Sequence, residues 1–277
     1  MTDYARPDDA VLEPALWHLY RHFFDQAERR RRWSIEKDIP WNECNRSLDP
    51  VIADVVESFC AVELYLPDYL VHAMPWSRPS RARTWFYANW GYEESKHSLA
   101  LHDWLLKSGM RSEERMADLE GQIYQHPWQL PHDNVVAMLI YAMVQERATS
   151  LNYRNLRRRA REGGGDPALD RLLTLLAVDE QTHYSFFLGG VRLYLAHDRA
   201  ATLEQLRRVM HNFVMPAIYG LADGRQRVAR INELEIFTEE VYVREVYLPI
   251  LQELGVRRPE MRCHYSARKC APTNGAQ

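Results

Sequence analysis

Cysteine is scarce in this chain: four among 277 residues, at positions 44, 60, 263 and 270, with no Cys-x-x-Cys pair. That excludes a disulfide-built scaffold and favours a reducing compartment, the cytoplasm. Long apolar runs are missing too. Each is interrupted by Glu, Arg, His or Asp before the ~18 residues a membrane-spanning helix requires, so no span is expected. Met1 to Asp8 is polar and acidic, which is not the pattern of a secretory leader. A formal net charge of −3 supplies no overall basic field of the kind nucleic-acid binding needs, so no nucleic acid is expected and any charge-driven partner must use a local patch. Alternating strand-like runs and Asn-Gly hairpin signals are nearly absent from the body.

What is present is helical periodicity. Apolar residues recur at intervals of three and four, predicting helices over roughly 9–32, 50–73, 79–108, 112–124, 132–161, 166–196, 200–216 and 224–254. Pro75 and Pro79, Gly109, Pro127 and Pro131, and Gly163 to Gly165 punctuate them. The gaps are short, so neighbouring helices should run antiparallel in one all-α bundle spanning 1–256. Periodicity fades over 257–277, predicting an irregular tail, with a packed cover over the bundle as the alternative. Cys263, His264 and Cys270 in that tail match no strong zinc spacing.

Two predicted helices carry Glu-x-x-His: Glu94 with His97 and Glu180 with His183. A spacing of three puts both side chains on one helical face, where carboxylate and imidazole can meet one cation. Tyr87, Trp90 and Leu101 flank Glu94, and Leu173, Leu176 and Phe187 flank Glu180, so both acids sit on the stripe that should be buried. Glu63 and Glu146 repeat this without a histidine, each on the helix before a Glu-x-x-His helix. Four buried carboxylates would cost several kcal/mol each without a counter-charge. One Glu from each of two helices and Glu-x-x-His from two others is the inward-facing arrangement of ferritin-like two-metal bundles. Four carboxylates and two imidazoles balance two divalent ions, and a donor set without thiolate suits iron or manganese. Asp179 is placed to accept from a ligating imidazole. Thr149, one turn past Glu146, either bonds back to its helix or faces the metals. Pro67 cannot donate to the Glu63 carbonyl, which predicts a kink beside that acid. Cys60, one turn before Glu63, reads as a small buried hydrophobe.

The segments VELYLPDY around Glu63, EESKH at 93–97, QERATS at 145–150 and DEQTH at 179–183 together resemble the soluble acyl-ACP desaturases, in order and spacing, over about residues 10 to 250. The resemblance implies a ferritin-like helical bundle with additional helices and a homodimer. It also implies two iron ions held by Glu63, Glu94, His97, Glu146, Glu180 and His183. Thr149 would take part in oxygen activation, Asp179 would partner His97, and Trp41 would align with an aromatic on an electron route. Leu64 stands where a second acid is expected, and Tyr153 where a histidine is expected. The long plastid-directed N-terminus of the plant enzymes is lacking.

The reaction so implied uses O2 and two electrons to remove hydrogens from adjacent methylenes of a fatty acyl chain on acyl-carrier protein, leaving a cis double bond. Reduced ferredoxin would supply the electrons. Both protein partners are acidic, so basic patches are expected: Arg29 to Arg32, and Arg154, Arg157, Arg158, Arg159 and Arg161. Two other readings stay open, an oxygenase or oxidase on another small or carrier-bound substrate, and a ferritin-like metal-storage protein.

Overall fold

The computed structural model describes residues 7–130, 132–215, 218, 221 and 223–262. Every element among them is helical. Helix α1 spans Pro7–Gln26 and runs into a π turn at Ala27–Arg31; α2 is Pro50–Glu63, α3 Leu66–Ser77, α4 Arg81–Lys107 and α5 Glu113–Gln125. Then follow α6 Val135–Glu162, α7 Pro167–His197, α8 Arg199–His211, α9 Gly224–Glu233, α10 Glu239–Val241 and, after a π turn at Tyr242–Tyr247, α11 Leu248–Leu254.

Side-chain caps set the starts of the helices that matter. Asp49 accepts from Val51 N, Ser80 from Arg83 N, Asn134 from Ala137 N and Asp166 from Leu169 N. Each satisfies a backbone donor that the first turn leaves unpaired. Gly164 and Gly165 adopt positive φ, 109° and 73°, and let α6 fold back along α7. Gly189 lets α1 cross α7 closely: a Cβ there would lie 2.8 Å from a Leu19 methyl.

The apolar interior has two parts. One joins α1, the first halves of α4 and α6, the second half of α7, α8 and α11. The other joins α2, α5, α9 and the opposite halves of α4, α6 and α7. Between them, on α4 and α6 and on α7, which runs opposite to both, lies a polar layer holding Glu94, His97, Glu146, Glu180 and His183.

Several expected helices are divided. The kink expected at Pro67 is a break: α2 ends at Glu63, Leu64 and Tyr65 turn, and Pro67 sits in the first turn of α3. Pro67 has no N–H to continue the ladder, and Tyr69 Oη donates to the Val62 carbonyl at 3.1 Å at the break. The expected 224–254 helix breaks over Leu234 to Thr238, with Glu235 at φ 51° and Thr238 capping the next start. Pro249, lacking a donor, leaves the Glu245 carbonyl to accept from Arg147 Nε at 2.8 Å. The helix expected over 200–216 ends at His211. Of the expected irregular tail, residues 258–261 form a 3-10 turn that buries Met261 against the bundle. Cys263, His264 and Cys270 lie outside the described residues.

Candidate metal centre

Glu63 closes α2, Glu94 and His97 project from α4, Glu146 from α6, and Glu180 and His183 from α7. All six are buried. They form two groups in which one donor atom per residue lies within 4.8 Å of the others: Glu63, Glu94, His97 and Glu180, and Glu94, Glu146, Glu180 and His183. Glu94 and Glu180 belong to both. Two sites sharing two carboxylates is the arrangement that two adjacent cations need.

Both imidazoles turn Nδ1 inward. His97 Nδ1 is 3.2 Å from Glu180 Oε1 and 3.4 Å from Glu94 Oε2, and His183 Nδ1 is 2.9 Å from Glu94 Oε1 and 3.2 Å from Glu146 Oε2. Their Nε2 atoms face outward to a second carboxylate each: His97 to Asp179 Oδ2 at 3.3 Å, and His183 to Glu93 Oε2 at 2.7 Å. An Nε2–H donated to a carboxylate leaves Nδ1 as the free lone pair, the state a metal requires. The pairing is crossed, since the acid preceding each ligand Glu serves the histidine of the other helix. Glu93 was not singled out from sequence; the acid repeated before both Glu-x-x-His segments was the available signal.

Arg31 ties the outer acids together. Its guanidinium lies 3.0 Å from Glu93 and 2.6 Å from Asp179. Arg32 reaches Glu93 at 2.5 Å, and Trp33 Nε1 donates to Asp179 Oδ2 at 2.8 Å. This corrects two expectations. Arg31 is buried structure rather than docking surface, leaving Arg29 and Arg30 exposed. The indole linked to His97 is that of Trp33, whereas Trp41 bonds the Ile35 carbonyl and stacks under Lys107. The second arginine cluster is largely engaged as well: Arg157 and Arg161 pair with Asp170, and Arg158 and Arg159 with Glu162.

The inner carboxylates have little positive charge opposite them. Tyr153 Oη donates to Glu63 Oε1 at 2.5 Å, and Trp90 Nε1 to Glu146 Oε1 at 2.9 Å. Burial, and then the charges of Glu94 and Glu180, push the Glu63 carboxyl well above its ordinary range; burial and Glu180 do the same to Glu146. Glu94 is held low against burial by His97 and His183. Glu94 Oε1, His97 Nδ1 and Glu180 Oε1 are buried atoms with no hydrogen-bond partner among the described residues. Orphaned lone pairs converging from three side chains fit divalent cations in both chemistry and charge. Cys60 is buried near the Ser98 carbonyl, its thiol pushed up by burial and Glu63, and is no ligand candidate.

A cavity of about 330 Å³ reaches Glu63. Apolar residues such as Phe59, Phe213, Ile218 and Phe237 wall it, and Thr149, Asn152 and Tyr153 line it on the α6 side. Exposed Asn232 and Glu239 mark its mouth. A second cavity of about 40 Å³ touches Glu146 from the α3 side.

Residues 64–258 match the model of a family described as fatty acid desaturase. Acyl-[acyl-carrier-protein] desaturase 7, chloroplastic, of Oryza sativa is 31% identical over 142 residues, 49% of this chain and 34% of its own. Stearoyl-[acyl-carrier-protein] 9-desaturase 6, chloroplastic, of Arabidopsis thaliana is 27% identical over 161 residues, 55% of this chain and 41% of its own. The chain thus spans less than half the length of these relatives. Among solved structures, DesA2 of Mycobacterium tuberculosis, described as an acyl-ACP desaturase, aligns with a TM-score of 0.69 at 18% identity, covering 91% of this chain and 97% of that one. A mutant R2-like ligand-binding oxidase with a reconstituted Mn/Fe cofactor aligns at 0.57 and 16% identity, over 94% and 95%. These two likenesses establish the ferritin-like fold.

Proposed function

Because the chain belongs to the fatty acid desaturase family, we propose that it is an O2-dependent di-iron enzyme that introduces a cis double bond into a fatty acyl group carried by acyl-carrier protein. The observation that carries this reading is the pair of ligand groups sharing Glu94 and Glu180, set beside an apolar cavity that ends at Glu63 and Thr149. When bound, two iron ions supply the redox chemistry with dioxygen that side chains lack. Glu63, Glu94, His97, Glu146, Glu180 and His183 hold them. Glu93 and Asp179 keep the imidazole Nδ1 atoms directed inward. The apolar wall excludes water and fixes which carbon lies nearest the centre. Thr149 Oγ1, on the α6 side of that wall, would hold or pass a proton.

Electrons enter through the hydrogen-bonded series Trp33, Asp179, His97, and exposed Arg29 and Arg30 offer an acidic ferredoxin its landing surface. The chain pairs with a second copy along α4, where Trp85, Tyr92 and Leu99 repeat every seven residues at 51–57% exposure. Residues 1–256 act as one domain. Free Cys44 and Cys60 suit the cytoplasm, and no helix among the described residues is long and apolar enough to cross a membrane.

The test is to reduce the iron-loaded protein, add O2 and C12–C18 acyl-ACPs, and identify the fatty acids by mass spectrometry. New monounsaturated acids, lost in Glu146→Ala, support the reading. No turnover by a protein with two irons per chain defeats it.

One observation favours a second reading, oxidation of a small substrate that arrives without an acidic carrier. Glu235, Glu239, Glu240 and Glu245 gather beside the cavity mouth and outnumber the Arg158, Arg159 and Arg244 that face them, a rim that offers an acidic protein little attraction. The apolar cavity weighs against metal storage.

A further inference from the structure

The polar groups that α2 and α6 present to the cavity divide into two kinds. Glu63 and Tyr153 hydrogen-bond each other. Thr149 and Asn152, one turn apart on the same face of α6, do not share in this. Asn152 is 3% exposed and its Oδ1 is buried without a hydrogen-bond partner among the described residues. Other amide oxygens are paired: Asn45 Oδ1 accepts from Ser47 N, Asn89 Oδ1 from Arg32 Nη2 and Asn134 Oδ1 from Ala137 N, each at 2.9 Å. Thr149 is likewise exceptional, because Thr174, Thr182 and Thr202 bond back to carbonyls of their own helices at 2.7–2.9 Å and no such bond from Thr149 occurs among the described residues.

An unpaired buried amide is a cost that a hydrocarbon-binding wall has no reason to carry. Leucine would fill this position at no such cost. The open space that Asn152 borders is the cavity, and rotation about its χ2 presents the amide there without moving the backbone. The amide offers an acceptor at Oδ1 and donors at Nδ2, and no hydrogen bond of either occurs among the described residues, so what completes it is a group that both donates and accepts. The Glu63 carboxylate lines the same space, which disfavours an anionic group.

We infer that Asn152 is a specificity-determining residue, and that the substrate carries a neutral hydroxyl close to the carbon that reacts. The inference rests on the proposed function only in taking this cavity as the substrate's place. A substrate with an unbroken hydrocarbon segment beside the metals leaves Oδ1 unpaired and binds less well. Such a site rejects the analogue lacking the donor more strongly than it rejects a missing methylene.

The test is anaerobic calorimetry on the full, iron(II)-loaded chain with two matched pairs: S-ethyl octanethioate and S-ethyl 3-hydroxyoctanethioate, and toluene and benzyl alcohol. The hydroxylated thioester should bind at least about tenfold more tightly than the plain one, as a single satisfied buried acceptor provides. Asn152→Leu should erase the difference while tightening the plain chain. Should that variant lose its fold or its metals, Asn152→Ser is measured instead, and the wild-type comparison decides alone. Equal affinities in the wild type, or a preference that survives Asn152→Leu, overturns the inference. Preference for benzyl alcohol with no binding of either thioester supports Asn152 and defeats the acyl reading. Tighter binding of both unhydroxylated probes overturns Asn152 and leaves the acyl reading standing.

Discussion

Two glutamates on α2, Glu57 and Glu63, are both buried, at 1% and 5% exposure, and are treated in opposite ways. Glu57 meets the guanidinium groups of Arg111, Arg115 and Arg227, the last two at 2.5 and 2.6 Å. Burial alone would raise its pKa, but the hydrogen bonds from Arg115, Arg111 and Arg227 bring it down to about 2. Glu63 meets only the Tyr153 hydroxyl and three further ligand residues, and rises instead. Where a carboxylate serves to pin α2 to α5 and α9, the chain supplies the cations itself. Where it does not, the counter-charge has to come from outside, and the unmatched acid marks the candidate metal centre.

Substitutions can break this contrast. The largest effect is expected from Glu180→Ala, which removes a carboxylate common to both ligand groups: metal content should fall from about two ions per chain to near none. Glu63→Ala, touching one group, should retain about one. Elemental analysis separates these outcomes, and equal retention by both variants would refute the shared-carboxylate arrangement. Glu57→Ala should act on stability instead, by about 2–3 kcal/mol in urea unfolding, because Arg111 and Arg227 lose their most buried partner and keep only Asp54 and Asp223 as acidic partners. Its metal content should stay at the wild-type level.

The pH dependence follows from the sign of the Glu57 shift. Its folded pKa, about 2, lies below the ordinary 4.5, so the folded state binds this proton less readily than the unfolded one. The stabilisation is complete above about pH 5 and is lost as pH falls toward 2, an amount of about 3 kcal/mol. Urea midpoints from pH 5 to pH 2 should drop more steeply for wild type than for Glu57→Gln; parallel curves would show that the arginines do not hold Glu57 ionised. The smallest effect belongs to Tyr153→Phe. Losing one hydrogen bond to a carboxylate should weaken one of the two metal-binding steps by about tenfold and spare the other. Competitive chelator titration would resolve the steps, and equal weakening of both would detach Tyr153 from Glu63.

The helices around the ligands were legible because an apolar stripe has a period, and the six acids and histidines stood out as polar residues on it. Asp179 could be read because it adjoins Glu180. Glu93 adjoins Glu94 in the same way, but its contact with His183, like that of Asp179 with His97, lies between helices and is set by the fold. Arg31 looked like part of a solvated basic run; only the π turn at Ala27–Arg31, which local sequence does not announce, brings it between Glu93 and Asp179. Trp33 and Trp41 are alike as tryptophans near the end of α1, and the choice between them needed the position of Asp179.

By itself, the sequence determined the all-helical character, the main ligand-bearing helices and the six inward-facing residues, because these depend on spacing along one chain and on the cost of burying charge. The tertiary structure decided which carboxylates are shared, which acid serves which histidine, which arginines turn inward, and that Asn152 lacks a partner. Those are distances between helices, and no period along a single helix encodes them.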